Sequence, residues 1–197
     1  MPTTISRLCV FCGTNAGARP EYGTAARELG TLLANEDIEL VYGGASVGIM
    51  GELADAVQEA GGHVTGIIPQ NLMQKEAAHR GIQDLIVVAS MHQRKSQMAD
   101  LSDGFIALPG GIGTLEGFFE ILTWGQLGIH AKPCGILNIA GYFDALSAFL
   151  DHAVGEGFLT KAHRQTVMVE SNPKALLERL RAYEPPAGTP LMGRTHR

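Results

Sequence analysis

The fold of this chain is decided by the stretch Phe105-Ile106-Ala107-Leu108-Pro109-Gly110-Gly111-Ile112-Gly113-Thr114. A short apolar run is followed by a proline, three glycines and a threonine that opens a helical pattern. Glycines let backbone N–H groups point inward, and the first turn of a helix adds unpaired donors and a partial positive charge. We therefore expect this loop to bind a phosphorylated small molecule. A tight strand-to-helix turn without a ligand is the alternative.

The same order of apolar run and helical pattern recurs along the whole chain. Runs that predict strands begin near residues 7, 39, 63, 84, 104, 132 and 166, and six of them lead into a helical pattern. Residues 70–83 have no clear assignment. This alternation predicts an α/β fold with three layers, a Rossmann-like parallel sheet with helices on both faces. We expect a single domain over residues 1–183 and a flexible tail over 184–197.

The composition excludes several classes of function. The 197 residues are 45% hydrophobic with a net charge of −5 and no basic stripe, so nucleic-acid binding is not expected. The apolar runs are too short to span a membrane, and the first residues lack a signal-peptide pattern, which favours a cytoplasmic protein. The seven histidines lack metal-ligand spacing, so no metal is expected. No cofactor is expected either.

The three cysteines do not form a disulfide framework. Cys9 and Cys12 form a C-x-x-C pattern inside an apolar run that predicts a strand. Residues three apart on a strand point to opposite faces, which favours two buried thiols over a metal or redox pair.

Two further glycine-containing loops follow predicted strands, one starting at Gly13 and one at Gly43-Gly44. In a parallel sheet both should lie at the same edge as the loop 109–114. Neither the P-loop nor the G-x-G-x-x-G pattern is present, and Tyr42-Gly43 stands where a dinucleotide enzyme has an acidic residue. The loops together indicate a ligand of mononucleotide size. Ordinary strand-to-helix turns are the alternative for the first two loops.

The predicted helix near residues 90–102 carries a charge on its apolar side. Arg94 lies three residues after Met91 and four before Met98, so it shares their stripe. A buried guanidinium must be paired, and its geometry suits a phosphate or carboxylate. A side chain that extends to solvent at the sheet rim is the alternative. Lys95 either adds a second positive charge or is solvated.

The predicted helix after the loop carries two carboxylates and an unexpected glycine. Glu116 and Glu120 are four residues apart and share a face. A carboxylate at the position of Glu116 is also favoured by the helix dipole alone. Gly117 costs about 1 kcal/mol relative to alanine inside a helix, so something other than helix propensity placed it there.

At these residues the chain resembles the LONELY GUY family, whose members are often labelled lysine decarboxylases. The resemblance rests on a PGGxGTxxE-like motif at Pro109–Thr114, on the M-x-x-R-K pattern of Met91 to Lys95, and on similar flanking segments up to about residue 180. It implies cleavage of cytokinin riboside 5′-monophosphates, and often AMP, to free base and ribose 5-phosphate. It also implies a nucleoside 5′-monophosphate partner and a homodimer with the site near the subunit interface.

The resemblance assigns roles to individual positions. The family's catalytic pair is an arginine, which matches Arg94, and the final glutamate of the motif, which falls on Gly117. Glu116, one residue before that position, and Glu120, three residues after it, are the candidate substitutes for that glutamate, and Glu116 is the one included in the predicted catalytic set. The expected substrate-binding set includes Gly13, Gly43, Gly44, Met91, Arg94, Lys95, Pro109, Gly110, Gly111, Ile112, Gly113, Thr114 and Glu116.

Three functions are compatible with the sequence. The first is a nucleotide phosphoribohydrolase, and the second is a non-catalytic nucleotide-binding protein that lacks the carboxylate at position 117. The third is another enzyme with a phosphorylated ligand, including a decarboxylase. A pyridoxal enzyme needs a Schiff-base lysine, for which Lys95 is the only candidate near the motifs.

Overall fold

The computed structural model describes residues 4–75 and 77–186, and within them seven strands form one sheet. The strands are β1 (Arg7–Phe11), β2 (Glu39–Tyr42), β3 (Val64–Pro69), β4 (Asp84–Val88), β5 (Gly104–Ala107), β6 (Cys134–Leu137) and β7 (Val167–Glu170). Every neighbouring pair is parallel, and the spatial order is β4-β3-β2-β1-β5-β6-β7.

Helices cover both faces of the sheet, which confirms the predicted three-layer α/β fold. They are α1 (Pro20–Asn35), α2 (Gly48–Glu59), α3 (Met91–Leu101), α4 (Ile112–Gln126), α5 (Asp144–Gly155), α6 (Lys161–Gln165) and α7 (Pro173–Arg181). Helices α1, α2 and α7 contribute to one buried apolar cluster, and α3, α4 and α5 to the other. Successive strand residues alternate between the two clusters, as the pleat of a strand requires.

The strand order places a crevice at the carboxyl ends of β1 and β5. The chain leaves β1 in one direction, towards β2, β3 and β4, and then returns to place β5 on the other side of β1. Such a reversal separates the loops that follow the two central strands and leaves a crevice between them. Ligands of open α/β sheets bind in this crevice. The loops after β1 and β5 are the ones that begin at Gly13 and Pro109.

Most element boundaries agree with the sequence prediction, and the differences have local causes. Helix α4 begins at Ile112 instead of Thr114, because Gly111 is its N-cap and the loop runs directly into the first turn. Helix α5 begins at Asp144 instead of Tyr142, because the chain turns at Ile139–Gly141, where Ala140 and Gly141 both have positive φ. The short helix α6 was not predicted, although Thr160 caps it by accepting from the N–H of His163.

The predicted tail lies largely outside the described residues. Glu184 to Pro186 are described without regular structure, and Pro185 and Pro186 line a small cavity with Tyr183. Residues 187–197, the rest of the predicted tail, lie outside the described part of the chain.

The described cysteines are buried thiols, as predicted. Cys9 packs in the α3–α4–α5 cluster and Cys12 in the α1–α2–α7 cluster, so the two lie on opposite faces. Burial raises the pKa of Cys134 to about 12 and raises the pKa of Cys9 and Cys12 well above that of a free thiol.

We expect the protein to lose stability at alkaline pH. Above about pH 8.5 the unfolded thiols ionise while the folded thiols keep their protons, so the folded state binds more protons than the unfolded state. Each thiol then lowers the free energy of unfolding by about 1.4 kcal/mol per pH unit. Urea unfolding under reducing conditions from pH 7 to 10 measures this slope. Cys134→Ala removes one thiol and should reduce the slope by about 1.4 kcal/mol per pH unit. A free energy of unfolding that does not change across this range contradicts the prediction.

Candidate active site

A cavity of about 500 Å³ lies at the carboxyl ends of β1, β2 and β5. Nearly all the predicted binding residues line it: Gly13, Gly43, Met91, Arg94, Lys95, Pro109, Gly110, Gly111, Ile112, Gly113, Thr114 and Glu116. The structure therefore brings the three glycine loops and the charged residues of α3 and α4 to one place, as their positions after the strands predicted.

The loops approach one another so closely that glycine is required at their contacts. The N–H of Gly13 donates to the carbonyl of Pro109 at 3.1 Å, and the N–H of Met50 donates to the carbonyl of Gly13 at 3.1 Å. A Cβ atom at Gly110 would lie 2.7 Å from the nitrogen of Gly13, closer than real contacts allow. The glycine at position 110 is thus explained by packing within the protein.

Gly111 and Gly113 have no such packing reason to be glycine. A Cβ atom at either position would meet no heavy atom within 4 Å, and both residues are exposed on the cavity wall. Gly111 is the N-cap of α4 and Gly113 lies in its first turn, where N–H groups lack helical partners. Glycine at these positions keeps the donors accessible to a group that enters the cavity, and that group is favoured to be anionic.

Arg94 is buried at the carboxyl ends of β2 and β3, which excludes a side chain that extends to solvent. Its exposed fraction is 6%. Its Nε donates to the carbonyl of Ile67 at 3.0 Å, and its Nη2 donates to the carbonyl of Gly43 at 2.6 Å. These bonds fix the guanidinium, so its charge is held in place beside the cavity before any ligand binds.

The approach of Arg94 explains the glycine at position 43. A Cβ atom there would lie 3.0 Å from Cε of Met50 and would overlap Nη2 of Arg94. The loop after β2 therefore contributes a carbonyl for the arginine rather than a side chain.

Lys95 is paired with two carboxylates of α4, so the solvated alternative is wrong. Its Nζ lies 2.6 Å from Oε1 of Glu116 and 2.9 Å from Oε2 of Glu120, and its side chain is 11% exposed. Burial opposes the charge, but the hydrogen bonds to Glu116 and Glu120 outweigh it and raise the pKa of Lys95. The ammonium is charged at neutral pH, as is needed to hold both carboxylates.

Only one of the two carboxylates reaches the cavity. Glu116 lines it and keeps half of its side chain exposed, whereas Glu120 is three-quarters buried behind Lys95 and does not line it. Glu116 is therefore the carboxylate of α4 that an occupant of the cavity would meet.

At Gly117 the helix α4 meets the ring of Phe11. A Cβ atom at position 117 would lie 2.8 Å from Cε1 of Phe11, and both residues line the cavity. Phe11 is 7% exposed, and its ring stacks on that of Phe105 at a centroid distance of 6.5 Å and an angle of 21° between the ring planes. A side chain at position 117 therefore requires the ring or the helix to move by a few tenths of an ångström.

Gly44 does not line the cavity, unlike the other predicted residues. Its backbone has φ +80°, and a Cβ atom would lie 3.3 Å from atoms of Ile67, Ile68 and Leu85. Its carbonyl accepts from the N–H of His79 at 2.8 Å. Gly44 thus shapes the turn after β2 and accepts a hydrogen bond from the segment at His79.

Sequence reasoning missed several residues of the cavity. They include Phe11, Thr14, Asn15, Tyr22, Met50, Met98 and Tyr142. The hydroxyl of Tyr142 donates to the carbonyl of Gly110 at 2.6 Å, and the ring of Tyr142 packs edge-on against Tyr22. No motif surrounds these tyrosines, so only the position of Tyr142 two residues before α5 offered a signal.

Known proteins resemble this chain in sequence over most of its length. A family model described as possible lysine decarboxylase matches residues 50–180. Cytokinin riboside 5′-monophosphate phosphoribohydrolase LOG7 of Arabidopsis thaliana is 50% identical over 91% of this chain and 82% of its own length. This chain belongs to the LONELY GUY family. Probable cytokinin riboside 5′-monophosphate phosphoribohydrolase LOGL9 of Oryza sativa subsp. japonica is likewise 50% identical, over 91% of this chain and 79% of its own.

Solved structures of lower identity share the fold of this LONELY GUY protein. The molybdenum cofactor binding protein of Rippkaea orientalis has a TM-score of 0.68 at 24% identity, over 89% of this chain and 95% of its own. The molybdenum cofactor carrier protein of Chlamydomonas reinhardtii has a TM-score of 0.68 at 22% identity, over 90% and 98%. At such identities the likeness concerns the fold.

The described residues contain neither a membrane-spanning helix nor a cluster that could hold a metal ion. No helix among residues 4–75 and 77–186 is both long and apolar enough to cross a membrane. Within the same residues, histidine, cysteine, aspartate and glutamate side chains form no group of three that could hold a metal ion.

Proposed function

We propose that this protein hydrolyses the N-glycosidic bond of nucleoside 5′-monophosphates, namely AMP or cytokinin riboside 5′-monophosphates, and releases the free base and ribose 5-phosphate. The observation that carries the proposal is the pair of open glycines, Gly111 and Gly113, which line the same cavity as Arg94 and Glu116. An anion cradle, a fixed cation and a carboxylate are the groups this reaction needs. The relatives named as phosphoribohydrolases at about 50% identity support the same reaction.

The 5′-phosphate would bind at the N-terminus of α4. The backbone N–H groups of Gly111, Ile112 and Gly113 provide donors at the positive end of the helix dipole. This contact fixes one end of the substrate, so the ribose extends into the cavity between α3 and α4. Orientation of this kind contributes to the rate because the reacting atoms are held near their reactive geometry.

Cleavage breaks the bond between C1′ of the ribose and the base nitrogen. As that bond breaks, its electron pair leaves with the base, which takes a proton from solvent, and C1′ gains oxocarbenium character. The Glu116 carboxylate stabilises this charge and accepts a proton from the water whose oxygen bonds to C1′. Arg94, held by the carbonyls of Gly43 and Ile67, orients the ribose and phosphate beside it.

The release of adenine and ribose 5-phosphate from AMP tests this proposal. We expect the two products in equal amounts, and N6-substituted adenosine monophosphates should be tested alongside to compare the bases. AMP that binds without release of base would contradict hydrolysis and support a nucleotide-binding protein instead. That second function is favoured by the glycine at position 117 and by the pairing of Glu116 with Lys95.

Gly113→Ala should separate ligand binding from folding. An added methyl group meets no protein atom within 4 Å and replaces a glycine in a helix, so we expect the melting temperature to hold or rise. The same methyl group enters the cradle and should weaken the binding of AMP about tenfold or more. Gly155→Ala is the matched control, since it lies at the end of α5, also meets no atom, and does not line the cavity. Equal AMP affinity in Gly113→Ala and the native protein contradicts the cradle.

We further propose that the protein forms a homodimer whose interface lies near this site. Met91 and Ile112 line the cavity with 43% and 82% of their surface exposed, so an apolar rim surrounds charged groups. A second copy of the chain would cover that rim. Sedimentation equilibrium measures the mass, and a monomer of 21.0 kDa at micromolar concentration contradicts this proposal.

A further inference from the structure

The turn that precedes α5 holds a backbone conformation that side chains rarely adopt. Ala140 has φ +51° and ψ +30°, and the next residue, Gly141, has φ +71°. A left-handed conformation at alanine costs energy that packing elsewhere must offset. This turn between β6 and α5 fixes the position of Tyr142, the residue that follows Gly141.

Side-chain hydrogen bonds brace this turn from both ends. The amide Nδ2 of Asn138 donates to Oδ1 of Asp144 at 2.7 Å, and its Oδ1 accepts from the N–H of Phe143 at 2.8 Å. The N–H of Tyr142 donates to the carbonyl of Ile139 at 3.0 Å. The backbone on each side of Tyr142 is therefore fixed to the end of β6 and the start of α5.

The side chain of Tyr142 crosses to the glycine loop after β5. Its hydroxyl donates to the carbonyl of Gly110 at 2.6 Å. Its ring contacts Tyr22 edge-on at 5.6 Å and Phe143 at 4.9 Å between centroids. These ring contacts hold the hydroxyl in place independently of the hydrogen bond.

The bonded carbonyl belongs to the same peptide unit as the N–H of Gly111. A trans peptide is planar, so its N–H points opposite to its C=O, and fixing one fixes the other. A peptide between two glycines rotates more readily than any other, because both residues also adopt positive φ. Among the described residues the N–H of Gly111 has no acceptor.

We propose that Tyr142 is a positioning residue of the phosphate cradle. Its hydroxyl holds the Gly110–Gly111 peptide so that the N–H of Gly111 is directed at the bound phosphate. This role rests on the proposed function for the identity of the ligand. The hydroxyl acts through the backbone and needs no contact with the substrate itself. Its loss leaves the ring packed but allows the diglycine peptide to rotate.

Tyr142→Phe tests the proposal, with ribose 5-phosphate as the probe in isothermal titration calorimetry. We expect about tenfold weaker binding, the effect of one neutral hydrogen bond, with the melting temperature unchanged within about 2 °C. With AMP, KM should rise by a similar factor while kcat stays within about twofold. Thr123→Val is the control, because it removes a hydroxyl that donates to a backbone carbonyl, that of Phe119, outside the cavity.

A backbone probe provides a direct readout. The Gly111 amide resonance should shift on addition of ribose 5-phosphate to the native protein, and this shift should be reduced in Tyr142→Phe. Equal affinity and an equal Gly111 shift in the two proteins overturn the positioning role. If the native protein binds ribose 5-phosphate but does not cleave AMP, the proposed reaction is wrong. The comparison of the native protein with Tyr142→Phe still decides the role of Tyr142. If the native protein binds no ribose 5-phosphate, both proposals are overturned.

Discussion

Glu116→Gln is expected to lower kcat for AMP cleavage about 10²- to 10⁴-fold, the usual loss when a catalytic carboxylate is removed. Glu116 is the residue of α4 whose carboxylate both lines the cavity and stays half-exposed. The amide oxygen of glutamine can still accept from Lys95, so the fold should be retained. The melting temperature, measured beside kcat, separates a chemical loss from an unfolded protein.

The matched control is Glu120→Gln, one helical turn further along α4. Both glutamates pair with Lys95, at 2.6 and 2.9 Å, so each variant removes one charge from the same cluster. Glu120 lies behind the lysine, away from the cavity, so we expect a loss in kcat of less than tenfold. If the two variants lose activity equally, the role of Glu116 is electrostatic support of Lys95 and not chemistry at the ribose.

The position of the site could be predicted from the sequence because it depends mainly on local features of the chain. Each glycine loop comes directly after a β-rich run, and the carboxyl ends of parallel strands meet at one edge. Helical spacing placed Arg94 on the apolar stripe of Met98, and the family resemblance assigned it to the binding site. These predictions depend on neighbours within about ten residues, and the structure confirms the positions around the cavity with the exception of Gly44.

The contacts between distant segments did not follow from the sequence. The hydrogen bond of Tyr142 joins residues 32 positions apart, and the pairing of Lys95 with Glu116 joins residues 21 apart. Both depend on the orientation of α4 and of the turn before α5, which no local pattern specifies. The position of Gly44 outside the cavity lining has a related cause, because its neighbours across the sheet lie on β3 and β4.

Gly117→Glu is expected to raise kcat/KM for AMP about 10²-fold, because it places a carboxylate where the family motif has one. Successive helical residues differ by about 100°, so Glu116 and a glutamate at 117 approach the ribose from different sides. Lys95 neutralises Glu116 through a short hydrogen bond, whereas position 117 faces the cavity beside the ring of Phe11. A carboxylate beside that apolar ring loses part of its hydration, and loss of hydration favours the protonated form, so the new side chain is suited to accept a proton from water.

The new side chain also carries a packing cost, which a second variant measures. The ring of Phe11 or the helix must shift to admit a Cβ atom now 2.8 Å from Cε1, so we expect a loss of about 1–3 kcal/mol in the free energy of unfolding. Gly117→Gln should show the same loss of stability without the gain in kcat/KM. The gain with glutamate alone assigns the effect to the charge.

A combination of the two substitutions tests whether the carboxylates replace each other. In the Gly117→Glu background, Glu116→Gln should cost less than tenfold, because the chemistry has moved one residue along α4. If Gly117→Glu adds nothing and Glu116→Gln remains severe, Glu116 performs the whole reaction in this chain. If neither the native protein nor Gly117→Glu cleaves AMP while both bind it, the cradle serves binding alone, and the loss of the family carboxylate is matched by the loss of the reaction.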